Sequence, residues 1–245
     1  MTDTKLLKEV IERYYLGGII EATKWSSKEE TLNIAFIPPN KDMVGMIEAD
    51  IDFPEGIIGI SNTSQLLKML DISDKEIDIK VVFPDGSNNR FKQMLIEDSN
   101  YSFKYSLSDI NIMPKIPKIN EPDDYEIQFP IDVDFITTFN KAKKALDSNI
   151  KEICTFSTTD NKLKCVLGEP SSHSHKIEFN ITPTILNKTN KKKYSFNSVF
   201  FREILAANKA DLISGSCSIN SEGLLKLEFN NNKVRSTYFL IQLSE

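Results

Sequence analysis

The sequence predicts an α+β protein: two tandem copies of one domain, each with two amphipathic helices packed on antiparallel strands. Three observations carry that reading. Four segments repeat apolar residues at helical spacing, short strand-like runs fill the intervals, and the order helix, strands, helix, strands occurs twice, offset by about 130 residues. Each half of the 245-residue chain is long enough to bury a core without disulfides. The period is far too long for a solenoid, so two copies of one domain is the natural inference.

Thr4 to Tyr14 form the first predicted helix. Leu6, Leu7, Val10, Ile11 and Tyr14 share one face, while Lys5, Lys8, Glu9 and Glu12 lie away from it. Gly17 and Gly18 break it, and strands are expected at Ile19 to Lys24, Thr31 to Phe36, Val44 to Ala49 and Gly56 to Ser61. Asn62 or Thr63 can cap a second helix whose buried stripe is Leu66, Leu67 and Leu70, with Gln65 and Lys68 pointing the other way. Three strands complete the half, Glu76 to Phe83, Phe91 to Glu97 and Tyr101 to Leu107, the first two joined by the PDGSNN loop.

The stretch from Asp109 to Asp124 interrupts the pattern. Pro114, Pro117 and Pro122 favour an extended, semi-rigid connector, which divides the chain into a domain at 1–108, a connector at 109–124 and a domain at 125–245. The order then starts again. After a strand at Tyr125 to Phe129 comes the helix Asp132 to Leu146, with Phe135, Ile136, Phe139, Ala142 and Leu146 inward and Lys141 and Lys144 outward. Strands follow at Glu152 to Thr158, Lys162 to Leu167, Lys176 to Ile181 and Lys193 to Phe196. A helix from Ser198 to Asn208 turns Phe200, Phe201, Ile204 and Leu205 inward and leaves Arg202, Ala206 and Lys209 more outward. Strands at Ser214 to Ile219, Leu224 to Phe229 and Val234 to Leu243 finish the chain.

Composition excludes several classes. Hydrophobic residues are 40% and charged residues 27%, an ordinary globular balance, and no apolar run approaches the roughly 18 residues of a membrane span. A cytosolic protein is expected, in the host cytoplasm if the source is viral. Cys154, Cys165 and Cys217 lack the close spacing of a zinc or redox site; if Asp160 and Asn161 turn a hairpin, Cys154 and Cys165 join Phe156, Leu163 and Leu167 on one face as buried thiols. His173 and His175 are the only histidines, and no cysteine or acidic cluster completes a metal set around them. There is no P-loop, dinucleotide fingerprint or nucleophile elbow. The expectation is a non-enzyme without metal or cofactor.

Net charge is −5 and the pI about 5.3, unlike a simple nucleic-acid binder. The charge is nevertheless sorted. Lys5, Lys8, Lys68, Lys141, Lys144, Arg202 and Lys209 sit on the outer sides of predicted helices, whereas Glu29, Glu30, Asp71, Asp74, Glu121, Asp123 and Asp124 sit in loops or the connector. One such helix alone is a solvated face; the same arrangement in both halves suits a body wrapped around a polyanion.

With this element order, and with segments such as GIIGISNTSQLLKML and SVFFREILAAN, the whole chain resembles the DNA sliding clamps of the trimeric two-domain type. That family includes proliferating cell nuclear antigen, and the sequence looks most like the clamps of tailed bacteriophages. The resemblance implies a homotrimeric ring that encircles duplex DNA and tethers a replicative DNA polymerase, with a clamp loader as a further partner and no membrane association. The seven helix-borne cations would face the phosphates without reading sequence. Subunits would join by edge strands, Tyr101, Phe103, Tyr105 and Leu107 of one chain against Lys176, Ile177, Phe179 and Ile181 of the next. Ile110, Ile112, Met113 and Ile116 lie where partner peptides dock in the family, or else anchor the connector to the core. The basic run Lys191, Lys192, Lys193 falls outside the inner face and is either a solvated loop or an auxiliary contact with DNA or loader. A non-enzymatic β-rich assembly protein, and more distantly a hydrolase using a carboxylate pair, are the alternatives the residues leave open.

Overall fold

The computed structural model describes residues 1–82, 92–122, 124–146, 152–159, 162–168, 175–186 and 192–243. The PDGSNN loop, the Asp160–Asn161 turn, Asp123, His173 and Lys191 lie outside them. The chain divides into two compact units, Met1–Lys118 with Lys233–Ser236, and Ile119–Asn232 with Thr237–Glu245.

The first unit runs β1 (Thr2–Asp3), α1 (Thr4–Tyr15), a 3₁₀ turn (Leu16–Gly18), β2 (Thr23–Lys28), β3 (Thr31–Phe36), β4 (Met43–Asp50), β5 (Gly56–Ile60), α2 (Thr63–Leu70), β6 (Glu76–Val82), β7 (Gln93–Glu97) and β8 (Ser102–Ser106). The second runs β9 (Ile127–Pro130), α3 (Val133–Lys144), β10 (Ile153–Thr159), β11 (Lys162–Leu167), β12 (Ile177–Ile181), β13 (Ile185–Leu186), β14 (Lys193–Asn197), α4 (Ser198–Ala207), β15 (Ser214–Ile219), β16 (Leu224–Asn231) and β17 (Val234–Ile241). The strand orders correspond one to one. In the first unit they are β5-β2-β3-β4 and β1-β6-β7-β8; in the second they are β14-β10-β11-β12 and β9-β15-β16-β17, with β13 added beside β9. The tandem repeat read from the sequence is therefore a repeat of topology.

Each helix starts on a short polar side chain that accepts an otherwise orphaned backbone N–H. Asp3 accepts from Leu6 (3.1 Å), Asn62 from Gln65 (3.1 Å), Asp132 from Phe135 (2.7 Å) and Asn197 from Val199 (2.9 Å). Leu16 ends α1 in the left-handed region at φ 49°, and Gly17 and Gly18 follow at positive φ, the break their sequence announced. Leu6, Leu67, Phe135, Ala142 and Leu146, all expected inward, are only half-buried, because the packed stripe is narrower than the apolar one.

The two cores differ in chemistry. In the first unit Trp25 is fully buried between Tyr14 (ring centroids 6.1 Å) and Phe53 (5.4 Å), and the Tyr14 hydroxyl shares a 3.0 Å hydrogen bond with Thr63 on α2. Phe36 lies over Gly45 so closely that a Cβ there would fall 2.1 Å from its ring. In the second, Phe139 and Phe201 join α3 to α4 at 4.9 Å, and Phe129, Phe135 and Phe156 extend the cluster. Cys154, Cys165 and Cys217 are buried in this unit as free thiols. Burial pushes the Cys154 thiol up to about 12 and the other two well above their ordinary range.

One strand begins later than its composition predicts. Ile19–Ala22 has a strand pattern, but β2 starts at Thr23, because the Glu21 backbone is used elsewhere: its carbonyl accepts from the Thr63 N–H (3.3 Å) and hydroxyl (3.0 Å) at the start of α2. Two short strands lie outside the expected ones: β1 is two residues long, and in β13 Ile185 and Leu186 pair with Gln128 and Ile127.

Candidate functional site

The seven expected cations all lie on or just beyond helices, but their surroundings are unequal. On α1, Lys5 is exposed and 3.6 Å from Glu9, and Lys8 is half-buried in an ion pair with Asp71, which follows α2. On α4, Arg202 is turned onto its neighbour Glu203, with Nε donating at 2.9 Å. Lys68, Lys141, Lys144 and Lys209 are exposed, and among the described residues they make no ion pair. The last turn of α3 carries Lys141, Lys143 and Lys144, opposed only by Asp134 at its first turn. Lys143, which sequence reasoning passed over, is half-buried. Cations at a helix C-terminus also complement the carbonyl dipoles there. Lys192 reaches the Ser221 carbonyl at 3.3 Å, and Lys193 opens β14.

The two strands expected to join subunits both end their sheets. β8 follows β7 at one end of its sheet, and β12 follows β11 at one end of the other. Tyr101 and Phe103 stack at 5.7 Å, with Tyr101 half exposed. Tyr105 and Leu107, however, point into the first unit's core. The Tyr105 hydroxyl donates to the Asn62 carbonyl at 3.0 Å, and burial raises its phenol above the usual range. With their side chains buried, these two residues have only backbone to offer an edge partner. On β12, Ile177, Phe179 and Ile181 are half-buried, and Phe179 reaches Phe135 of α3 at 6.2 Å. Lys176 and Glu178 face solvent 2.8 Å apart, and the ammonium beside it holds the Glu178 carboxyl below the usual carboxylate range.

The connector is seated by a glycine. Gly59 of β5 pairs with Ser108, and a Cβ at Gly59 would lie 2.7 Å from the Ser108 carbonyl and 3.2 Å from Met113. Met113 is therefore an anchor, buried to 5% exposure, while Ile112 is 74% and Ile110 38% exposed and Ile116 is intermediate. None of the four lines the nearby cavity. That cavity, of about 560 Å³, is walled by Ile19, Ile20, Ala22, Ile37, Pro38, Pro39 and the connector's Pro114, with Glu21, Lys41 and Lys115 as its charged groups. Its size suits a docked apolar segment. The Pro38-Pro39 pair and the IIEA run were the signals for it; alternation alone reads both as strand ends.

The described residues include no group of side chains arranged to hold a metal ion, and no helix long and apolar enough to cross a membrane. The sequence matches no protein-family model and no curated protein. The structure, by contrast, is similar end to end to solved sliding clamps. Against the PCNA of A. fulgidus, in a structure with the C-terminal region of FEN-1 bound, the TM-score is 0.75 over 100% of this chain and 99% of that one, at 14% identity. The chain has the sliding-clamp fold. Against the Proliferating Cellular Nuclear Antigen of Entamoeba histolytica the TM-score is 0.72 at 13% identity, covering 99% of this chain and 96% of the other. The PCNA2-PCNA3 complex of Sulfolobus tokodaii gives 0.69 at 11%, covering 100% and 98%. At such identities the clamp fold persists through its layering and strand order, with almost no shared letters.

Proposed function

We propose that this chain is one subunit of a DNA sliding clamp: a non-enzymatic ring that encircles duplex DNA and holds a polymerase at its primer end. The observation that carries the proposal is the match of both units, over the full length, to the clamp fold. In the trimeric form three copies supply six like units, the helices line the hole, and Lys5, Lys8, Lys68, Lys141, Lys144, Arg202 and Lys209 face the phosphate backbone. Charge alone then acts on DNA, so no register is favoured and the ring can slide. Tethering follows from topology, because a partner bound to a closed ring stays at high effective concentration along the duplex. A loader that opens the ring, a tailed-phage origin and a place in whichever compartment replicates the DNA belong to the same reading.

Copies would join by pairing β8 of one chain with β12 of the next, since both strands end their sheets. Partner proteins, by the same reading, insert a short apolar segment into the cavity beside Pro38 and Pro114.

Sedimentation velocity tests the assembly. A species of three times the 27.9 kDa chain mass is expected at micromolar concentration. Breaking the β8 edge by Lys104→Pro, which removes a strand N–H, is expected to return it to monomer. A wild-type chain that stays monomeric at every concentration would overturn the reading.

A further inference from the structure

Every sheet has two ends, and among the described residues most of these ends are already used or too short to join anything. β14 receives the Leu243 N–H on its Ser195 carbonyl at 2.8 Å, and β5 is met by Ser108, whose N–H donates to the Gly59 carbonyl at 2.9 Å. β1 and β13 have two residues each. That leaves β8 and β12, five residues apiece and unlike each other. Two unlike edges on one chain join head to tail, the kind of contact that closes rings.

Their backbones are in phase. Leu107 N–H donates to the Lys92 carbonyl and Asp98 N–H to the Tyr101 carbonyl, both at 3.0 Å. Odd-numbered residues of β8 therefore face β7, and Ser102, Lys104 and Ser106 aim their N–H and C=O groups outward. Gly168 N–H donates to the Ile153 carbonyl at 3.2 Å, and alternation carried across β11 leaves Glu178 and Asn180 with backbone groups aimed outward. Side chains are in phase too. Tyr105 of β8 and Phe179 of β12 each turn toward a helix of their own unit, at Asn62 and Phe135, while Lys104 and Glu178 face solvent on the other side. Even residues must oppose even residues, so the permitted registers differ by steps of two.

We propose that β8 and β12 of successive copies pair antiparallel with Lys104 opposite Glu178, which sets Phe103 against Phe179 and Tyr101 against Ile181, and that this ion pair fixes the register. The proposal rests on the reading of these strands as the subunit joint and deepens it by assigning which residue meets which. One step one way, Lys104 falls opposite Lys176, like charge on like. One step the other way, Phe179 and Ile177 meet Tyr105 and Leu107, which the core already holds, and the stacked, half-exposed Tyr101 is left beyond the strand. Lys104 makes no ion pair among the described residues, and Glu178 is the one acid on β12, already between Lys176 at 2.8 Å and Lys164 at 3.8 Å. The apolar residues of both edges then close the helix side of the joint, and the ion pair closes its outer side.

The test uses the full chain and disulfide trapping at positions off the ion pair. Ser102→Cys with Asn180→Cys is expected to link copies under mild oxidation, because directly opposed Cα atoms in a hydrogen-bonded pair lie about 5.5 Å apart, within reach of a disulfide. Ser102→Cys with Thr182→Cys, and Ser102→Cys with Glu178→Cys, are each one step off and should link roughly tenfold more slowly. The native thiols are buried and stay out of the reaction. Adding Lys104→Glu to the first pair sets acid against acid and is expected to cut linking about fivefold; adding Glu178→Lys as well is expected to restore most of it. Faster linking to position 182 or 178 overturns the register. Linking at 102 and 180 that ignores both reversals overturns the role of the ion pair. Linked dimers from Ser102→Cys alone would mean that β8 pairs with itself, and would overturn the proposal too. A chain that sediments as a monomer at every concentration means that the reading of these strands as a joint has failed, a result distinct from a trimer trapped in another register.

Discussion

α1 and α3 open the two units in equivalent positions, yet they hold their charge differently. On α1 every expected cation has an acidic neighbour: Glu9 beside Lys5, Asp71 on Lys8, and Glu12 exposed on the same helix. On α3 three lysines gather in the last turn, and among the described residues none is paired. The aromatic groups beneath diverge as well, with Trp25, Tyr14 and Phe53 in the first unit and a phenylalanine cluster with three thiols in the second, although each unit buries one tyrosine hydroxyl in a hydrogen bond, Tyr14 with Thr63 and Tyr238 with Asn208. The repeat therefore preserves layering and strand order while leaving surface charge and core chemistry free to specialise. On the clamp reading, α3 carries more of the attraction for DNA than α1.

The largest effect that would sharpen this contrast is in the cores. Phe139→Ala removes the ring joining α3 to α4 and is expected to cost about 3–5 kcal/mol in urea denaturation, whereas Tyr14→Phe loses one hydroxyl bond at about 1 kcal/mol. Similar costs would mean the two cores are not as different as their contacts indicate.

Alkaline pH should also separate the units. The three buried thiols titrate above their ordinary range, so above about pH 9 the unfolded chain gives up protons that the folded one keeps. Stability is fully present below that pH and falls above it, by about 1.4 kcal/mol per thiol for each pH unit. Melting followed by hydrogen exchange should show the loss in the second unit, since the first contains no cysteine. In the native state at pH 8 none of the three should react with a thiol reagent.

Next comes DNA affinity. Lys141→Glu with Lys144→Glu is expected to weaken duplex binding roughly tenfold at low salt and to flatten its salt dependence. Lys5→Glu with Lys8→Glu should change affinity less than about threefold, because those charges are already offset. Equal losses would break the comparison. Smallest is the cap: Asp132→Ala should cost about 1 kcal/mol, and Asp3→Ala a similar amount, since here the two helices are built alike.

Much of this architecture was legible in the residues. β3, β11 and β15 run over their expected spans, and both strands expected at sheet edges are at edges, because alternation and helical spacing report burial directly. What escaped was long-range. Ile19–Ala22 has strand composition, but its backbone caps α2 more than forty positions on, a use no local pattern discloses. Phe103, Tyr105 and Leu107 fall at alternate positions and share one face of the edge segment, and the core takes up Tyr105 and Leu107, where Tyr105 finds Asn62. The cavity beside the connector was not legible either, because prolines from another loop wall it, and a groove is made by elements that meet only in the fold.

Encirclement is the central claim, and it is a claim about topology that affinity cannot stand in for. Linear duplex threaded with the protein, then blocked at both ends with streptavidin, should retain the protein through a high-salt wash that removes any electrostatic binder, and a single restriction cut should release it. Loss of the protein in the wash with both ends blocked, or retention unaffected by the cut, would contradict the account.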